Sequence, residues 1–305
     1  MMLAIFAVDV KTGASLAGHQ GLTAVRDNTS VNRLRDRETV MDLQLKDRSA
    51  VVTGASKGIG LATARLLADE GVRVLGVARL PTPEMKEVVS LAVSADLTTP
   101  SGVTAVASAA ESWAPEGLDL LVNNAGGLAP GDDDPSHLGG FATIDDAAWV
   151  RTLELNLLSA VRVTRSLVPS LLLRGGVIVN VSSIGARIAH PPIDYGVAKA
   201  ALTNLTKALS EEYAPRGMRA VTISPGPTRT RNWTDSDSLA GALSRSRGIG
   251  QDELLAGLPE DAGISIGRII EPEEVASAIA FLASPQAGAI TGSDVLVDGG
   301  VIKTV

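Results

Sequence analysis

Cysteine is absent from the 305 residues, and the three histidines, His19, His137 and His190, lie far apart along the chain. The first absence excludes a disulfide scaffold, a thiolate metal site and a cysteine nucleophile; the second argues against a histidine-rich metal centre, so no metal is expected. No apolar run approaches the roughly 20 residues needed to cross a bilayer. Dense Lys/Arg blocks are missing as well: 27 basic residues face 34 acidic ones, for a net charge of −7. Such a chain is poorly built to grip a phosphate backbone, so neither nucleic acid nor membrane is an expected partner. Aromatic residues reach only 3%, whereas hydrophobic residues reach 45%, with 31 Gly and 15 Pro. That mixture suits buried strands and closely packed Ala-rich helices.

Residues 1–8 are apolar, but no basic segment precedes them, and Asp9 and Lys11 cut the run short. They do not read as an export signal, which leaves the cytoplasm as the default location. Residues 12–39 are polar and without sustained period, and the charges in 33–38 alternate in sign. We expect residues 1–40 to be a loosely ordered extension and 41–305 to form one regular domain. From Ser49 the chain switches between short β-branched runs and Ala/Leu helical patterns. Strands are expected at 50–53, 72–77, 91–93, 118–122, 177–181, 220–223 and 295–297. These runs are apolar without alternation, as in a parallel sheet covered on both faces. A first helix is expected over 58–70, closed by Gly71, and a late one opens with Glu271-Pro272-Glu273-Glu274. The alternation implies right-handed crossovers and a doubly wound α/β fold.

The first strand runs into Thr53-Gly54-Ala55-Ser56-Lys57-Gly58-Ile59-Gly60, directly before a helix. Gly54 permits a sharp turn, Gly58 leaves room for a pyrophosphate, and Gly60 lets helix and strand approach, while helix-start N–H groups face the anion. A tight turn alone can carry such glycines; their place between a buried strand and an amphipathic helix points to a nucleotide. The spacing Gly-x-x-x-Gly-x-Gly resembles that of the short-chain dehydrogenases/reductases, of the group usually called classical. Further segments are similar in order and spacing: Asp96-Leu97, Asn123-Asn124-Ala125-Gly126, Pro225-Gly226 with Thr228 and Thr230, and Asp298-Gly299-Gly300. The resemblance covers residues 43–300 and extends to 3-oxoacyl-[acyl-carrier-protein] reductase-like members. It implies a Rossmann-type parallel sheet of about seven strands in a single domain. It also implies coenzyme contacts from Gly54, Ser56, Lys57, Gly58, Ile59, Gly60, Asp96, Leu97, Asn123, Ala125, Gly126, Pro225, Gly226, Thr228 and Thr230.

Selectivity between the nicotinamide coenzymes is read at the end of the second strand, where a carboxylate would bind the ribose 2′-hydroxyl and repel a 2′-phosphate. Here the sequence is Val77-Ala78-Arg79, with Lys57 offering a second cation. NADP(H) is therefore expected over NAD(H). Tyr195-Gly196-Val197-Ala198-Lys199 opens a helical pattern, so phenol and ammonium share a face. A free tyrosine has a pKa near 10, and a nearby cation is expected to lower it. By the resemblance, Tyr195 and Lys199 are the catalytic pair, and Lys199 also holds the nicotinamide ribose. A serine should hydrogen-bond the substrate oxygen. Strand register favours Ser183, while counting back from Tyr195 lands on Ser182; we prefer Ser183 because register shifts less readily than loop length. Asn156, in Leu155-Asn156-Leu157, matches the family's helix-embedded asparagine, whose carbonyl holds a water linking the lysine to solvent.

Substrate contacts are expected from 127–141, 184–194 and a lid at 229–267 carrying Trp233, Ile249, Leu254 and Leu255. Asp132-Asp133-Asp134 reads as a solvated loop, His137 as solvent-facing and His190 as a plain loop residue beside Pro191-Pro192. Arg229 and Arg231 are left open between an anionic substrate and the coenzyme pyrophosphate. The expected activity is hydride transfer between NADP(H) and a small-molecule carbonyl or secondary alcohol, with Tyr195 as general acid/base. The alternatives are an NAD-dependent alcohol dehydrogenase of the same family and a non-catalytic dinucleotide-binding regulator. An epimerase or dehydratase of the extended group fits the glycine spacing less well. The resemblance also implies a homo-oligomer, tetramer or dimer, assembled through helices near 145–173 and 195–213.

Overall fold

The computed structural model describes residues 41–128, 140–235 and 238–304. Expectations for 1–40, Asp132-Asp133-Asp134 and His137 lie outside these residues. The chain separates into Met1–Asp42 and Leu43–Val305, and all the regular structure below belongs to the second unit. Seven strands form one sheet: β1 (Ser49–Thr53), β2 (Arg73–Ala78), β3 (Leu91–Ser94), β4 (Leu120–Asn123), β5 (Val177–Val181), β6 (Arg219–Pro225) and β7 (Asp294–Val297). They lie in the order β3-β2-β1-β4-β5-β6-β7, with every neighbouring pair parallel. The order reverses between β1 and β4, and the crevice outside the strand ends there is where such sheets bind ligands.

Both faces are covered, which is why the strands lack alternation. Ala50 and Val52 of β1 pack with Ala64 and Leu67 of α1 (Gly58–Asp69) and Val275 and Ile279 of α10 (Pro272–Ala283). Val51 points the other way, into a layer with Val106 and Ala110 of α3 (Pro100–Trp113) and Val163, Leu167 and Leu171 of α5 (Ser159–Arg174). A short α2 (Pro83–Val88) links β2 to β3. Helix α1 stops one residue short of expectation, and α10 starts with a full capping box between Glu271 and Glu274.

The expected helix over 145–173 is interrupted. Helix α4 (Asp146–Leu153) leads into a π turn, Glu154–Leu158, before α5 begins. The inserted turn rotates the chain so that Asn156 is buried, at 1% exposure, while the flanking faces stay packed. Opposite it runs α6 (Ile193–Tyr213). A row of polar side chains crosses the sheet beneath these helices at one register, Asn123↔Asn180↔Thr222. Asn123 Nδ2 donates to Asn180 Oδ1 (2.8 Å) and Thr164 Oγ1 (2.9 Å); Asn180 Nδ2 donates to Thr206 Oγ1, as does the Thr222 hydroxyl.

Beyond β6 the segment expected as a lid carries, among its described residues, α7 (Arg231–Thr234), α8 (Leu239–Arg247) and α9 (Gln251–Asp261). Leu254 is buried, and Trp233, Ile249 and Leu255 are half-buried. Its two stems lie side by side: Thr228 bridges Ile270, and Arg229 N donates to Ile270 O at 2.8 Å. Both stems are tied to the start of α10. Arg229 pairs with Glu271 at 2.9 Å, and Arg268 makes a two-pronged contact with Glu274 at 2.6 and 2.8 Å.

Candidate active site

The residues expected to carry function follow the carboxyl ends of β1, β2, β4, β5 and β6 and so gather along one sheet edge. The turn after β1 is tight because Gly54 sits at φ +66°, a conformation that disfavours side chains. A Cβ on Gly60 would lie 2.2 Å from Gly54 O and 2.4 Å from Asn124 Nδ2, so only glycine lets α1 enter this close to the turn. No side chain caps the start of α1, and its first-turn N–H groups remain available to an anion. This cradle fits a dinucleotide pyrophosphate.

Thr53 joins that loop to the next one. Its Oγ1 accepts from the N–H groups of Asn124 and Ala125, both at 3.0 Å, and Asn124 Nδ2 donates back to Thr53 O and Gly54 O. The Asn123 side-chain amide is spent inside the sheet on Asn180 and Thr164, because β4 turns it inward, so only its backbone can face the cleft. Arg79 is exposed at the end of β2, with no carboxylate beside it on that strand. The Asp96 carboxyl is held below its ordinary range by the Thr98 hydroxyl and N–H, with a smaller contribution from Arg79. Gly226 N donates to Val297 O, and Thr228 Oγ1 donates to Gly226 O, fixing the segment after β6.

The two candidate serines diverge. Ser182 Oγ turns inward, donating to Lys199 O at 3.0 Å and meeting Thr203 Oγ1 at 2.9 Å. Ser183 Oγ accepts from Gly185 N at 3.1 Å and lies near enough to the Tyr195 phenol to lower its pKa. Since the Gly185 N–H occupies it as acceptor, the Ser183 proton is free to point at the phenol oxygen. Lys199 is 3% exposed, its Nζ donating to Val181 O at 2.9 Å and lying 5.7 Å from the Tyr195 ring centroid. A Cβ on Gly126 would meet Asn156 Oδ1 at 2.8 Å and Lys199 Nζ at 2.9 Å. Asn156 in turn holds Gly127 from both sides, accepting from its N–H at 2.8 Å and donating to its carbonyl at 2.9 Å.

The electrostatics correct one expectation. Burial pushes the Tyr195 phenol above its ordinary value, and the Ser183 hydroxyl opposes this only in part. The Lys199 ammonium donates to Val181 O and stands 5.7 Å from the ring centroid. Burial draws Lys199 itself down to about 8. Another residue was underrated: His190 lies against Gly185, beside Ser183, where it was read as a plain loop position. The loop 184–194 folds back on itself, and no spacing in the sequence signals that. Two further ties concern the candidate pair. Thr152 donates to the fully buried Asp194 carboxylate at 2.5 Å, anchoring α4 to the first turn of α6, and Arg229 is committed to Glu271.

A family model described as enoyl-(acyl carrier protein) reductase matches residues 54–302, spanning the glycine loop, the Ser183/Tyr195/Lys199 cluster and the last strand. The chain is a short-chain dehydrogenase/reductase. Relatives within this family include the 3-oxoacyl-[acyl-carrier-protein] reductase FabG of Vibrio cholerae, 31% identical over 85% of this chain and 99% of the relative. The cis-4-hydroxycyclohexanecarboxylate dehydrogenase of Sinomonas cyclohexanicum is 36% identical over 83% of this chain and 96% of its own. Among solved structures, L-sorbose reductase from Gluconobacter frateurii, complexed with NADPH and L-sorbose, superposes with a TM-score of 0.77 at 35% identity. That match covers 87% of this chain and all of the other. The family places this short-chain dehydrogenase/reductase among oxidoreductases that use nicotinamide coenzymes on small molecules. Among the described residues no helix is long and apolar enough to cross a membrane, and no cluster of side chains suits a metal ion.

Proposed function

We propose that the protein is an NADP(H)-dependent reductase and dehydrogenase that interconverts a carbonyl and a secondary alcohol, with Tyr195 as general acid and base. The gathering of Ser183, Tyr195 and the buried Lys199, whose Nζ lies 5.7 Å from the Tyr195 ring centroid, at the carboxyl end of β5 carries this reading. The coenzyme supplies the hydride when bound. Tyr195 hands its proton to the substrate oxygen in reduction and takes it back in oxidation. Ser183 donates to the same oxygen and steadies the charge that develops there. Lys199, fixed by Val181 O, keeps a cation on the tyrosine side of the cleft. Asn156 and its π turn position Gly127 and the path by which the lysine is reprotonated.

Preference for NADP(H) rests on Arg79 and Lys57, both exposed, and on the lack of a carboxylate at the end of β2. The solved relative with bound NADPH is in keeping with it. Val150 of α4 and Val197 of α6 are 58% and 48% exposed, which favours self-association through these helices into a dimer or tetramer. The cytoplasm is the proposed place of action. The test is turnover of carbonyl compounds with NADPH and NADH at equal concentration, followed by coenzyme absorbance, with Tyr195→Phe alongside. Turnover with NADPH that vanishes in the variant is expected. Coenzyme binding without turnover across ketones, oxoacyl thioesters and alcohols would make the protein a dinucleotide-binding regulator instead. Faster turnover with NADH would reverse the coenzyme assignment.

A further inference from the structure

His190 is the only histidine among the described residues, and the catalytic scheme above does not use it. Its Nδ1 lies 2.8 Å from Pro191 O. A carbonyl oxygen can only accept, so Nδ1 carries the proton and the neutral ring presents Nε2 as an acceptor. No described residue donates to Nε2. The ring stands beside a residue with no side chain: a Cβ on Gly185 would lie 3.2 Å from Nε2 and 3.5 Å from Ser183 Oγ. The space in front of Gly185 is therefore walled by an unused acceptor on one side. On the other stands the hydroxyl that meets the reacting oxygen.

We infer that His190 determines substrate specificity: with Ser183 holding the reacting oxygen, Nε2 accepts a hydrogen bond from a hydroxyl on the neighbouring carbon. The substrate class is then α-hydroxy ketones and, in the oxidative direction, vicinal diols. This rests on the carbonyl–alcohol reading above and narrows it. Nε2 and Ser183 Oγ both border the same space at Gly185, within 3.2 and 3.5 Å of where a Cβ would stand, so two oxygens on neighbouring carbons can address both. A neutral hydroxyl suits the rim better than an ammonium, because the nearby carboxylates are engaged elsewhere. Asp194 is fully buried against Thr152, and Asp294 is held by Arg187 and the Ser224 hydroxyl.

The experiment compares kcat/KM for a matched pair, 1-hydroxy-2-butanone and 2-butanone, with NADPH. The proteins are the wild type, His190→Ala, His190→Gln and Gly185→Ala, each checked for an unchanged melting temperature and coenzyme affinity. The wild type is expected to favour the hydroxy ketone. His190→Ala should lower that preference about tenfold, the worth of one neutral hydrogen bond at a half-exposed site, mainly through KM. His190→Gln, which keeps an acceptor, should recover part of it, and the added methyl in Gly185→Ala should erode it by filling the slot. A wild type that reduces both ketones equally well, or a preference that survives His190→Ala, overturns the inference and leaves the carbonyl reading intact. A wild type that binds NADPH yet reduces neither ketone, nor any other carbonyl offered, overturns that reading and the inference together.

Discussion

Replacing Thr53 by valine keeps the shape of a side chain that is 1% exposed and removes only its hydroxyl. That oxygen accepts from two backbone N–H groups, Asn124 and Ala125, and donates to Val122 O at 3.3 Å. The valine therefore leaves the Ala125 N–H without a partner where the β4 loop meets the glycine turn, whereas the Asn124 N–H keeps Val122 O at 3.2 Å. An orphaned donor costs ~1–3 kcal/mol. The extra methyl returns about 0.8 kcal/mol. A net loss of up to roughly 2 kcal/mol follows, equivalent to a fall in melting temperature of at most about 8 °C for a domain of this size. The same change loosens Ala125 and Gly126 beside Lys199, so NADPH affinity should fall as well. Thr53→Ser keeps the hydroxyl and is the control. Thermal unfolding by circular dichroism and NADPH titration by fluorescence read the two effects. If the valine variant melts with the serine variant and binds NADPH as well, the threonine is not the tie between the loops.

Three further outcomes are expected. Lys199 loses its proton near pH 8 instead of its ordinary 10.5, so the ammonium is present below that value and absent above it. The free-enzyme parameter kcat/KM should then decline as pH rises through about 8, and Lys199→Arg should remove that limb from whatever activity remains; a profile flat through that range refutes the assignment. Ser183→Ala should reduce kcat by roughly 10²–10³, whereas Ser182→Ala, which loses bonds to Lys199 O and Thr203, should lower the melting temperature more than turnover. The reverse pattern would exchange their roles. Thr152→Val withdraws the hydroxyl donated to buried Asp194 and should cost about 1–3 kcal/mol of stability, restored by Thr152→Ser and readable in a chemical denaturation midpoint. Equal midpoints for the valine and serine variants would show that the contact contributes nothing.

The sheet was readable because parallel strands buried on both faces are nearly all apolar, and Val177–Val181, with Asn180 as its one polar residue, keeps that pattern. The glycine loop was readable because backbone crowding at Gly60 leaves no other residue type. The π turn was not: Leu155-Asn156-Leu157 has the composition of ordinary helix, and one extra residue per turn leaves no mark on periodicity. Asn123 was assigned to the cleft by position in a motif, yet its amide is claimed by Asn180 and Thr164, partners 57 and 41 residues away that only the folded sheet brings close. The direction of the Tyr195 shift was misjudged for a related reason. Charge spacing is written in the sequence, but the depth of burial that outweighs it is not. Ser183 and Ser182 were separable in principle, since adjacent strand-end residues face opposite ways, and the choice turned on which face α6 would cover.

Fastening both stems of the 230–267 segment to the first turn of one helix makes that segment an insertion outside the seven-stranded sheet. The Arg229–Glu271 and Arg268–Glu274 pairs hold the two stems side by side, and Ile266 N and Ser265 Oγ add bonds to Gly299 O and Gly300 O just after β7. New lengths and new side chains can enter there while the coenzyme cradle keeps its form.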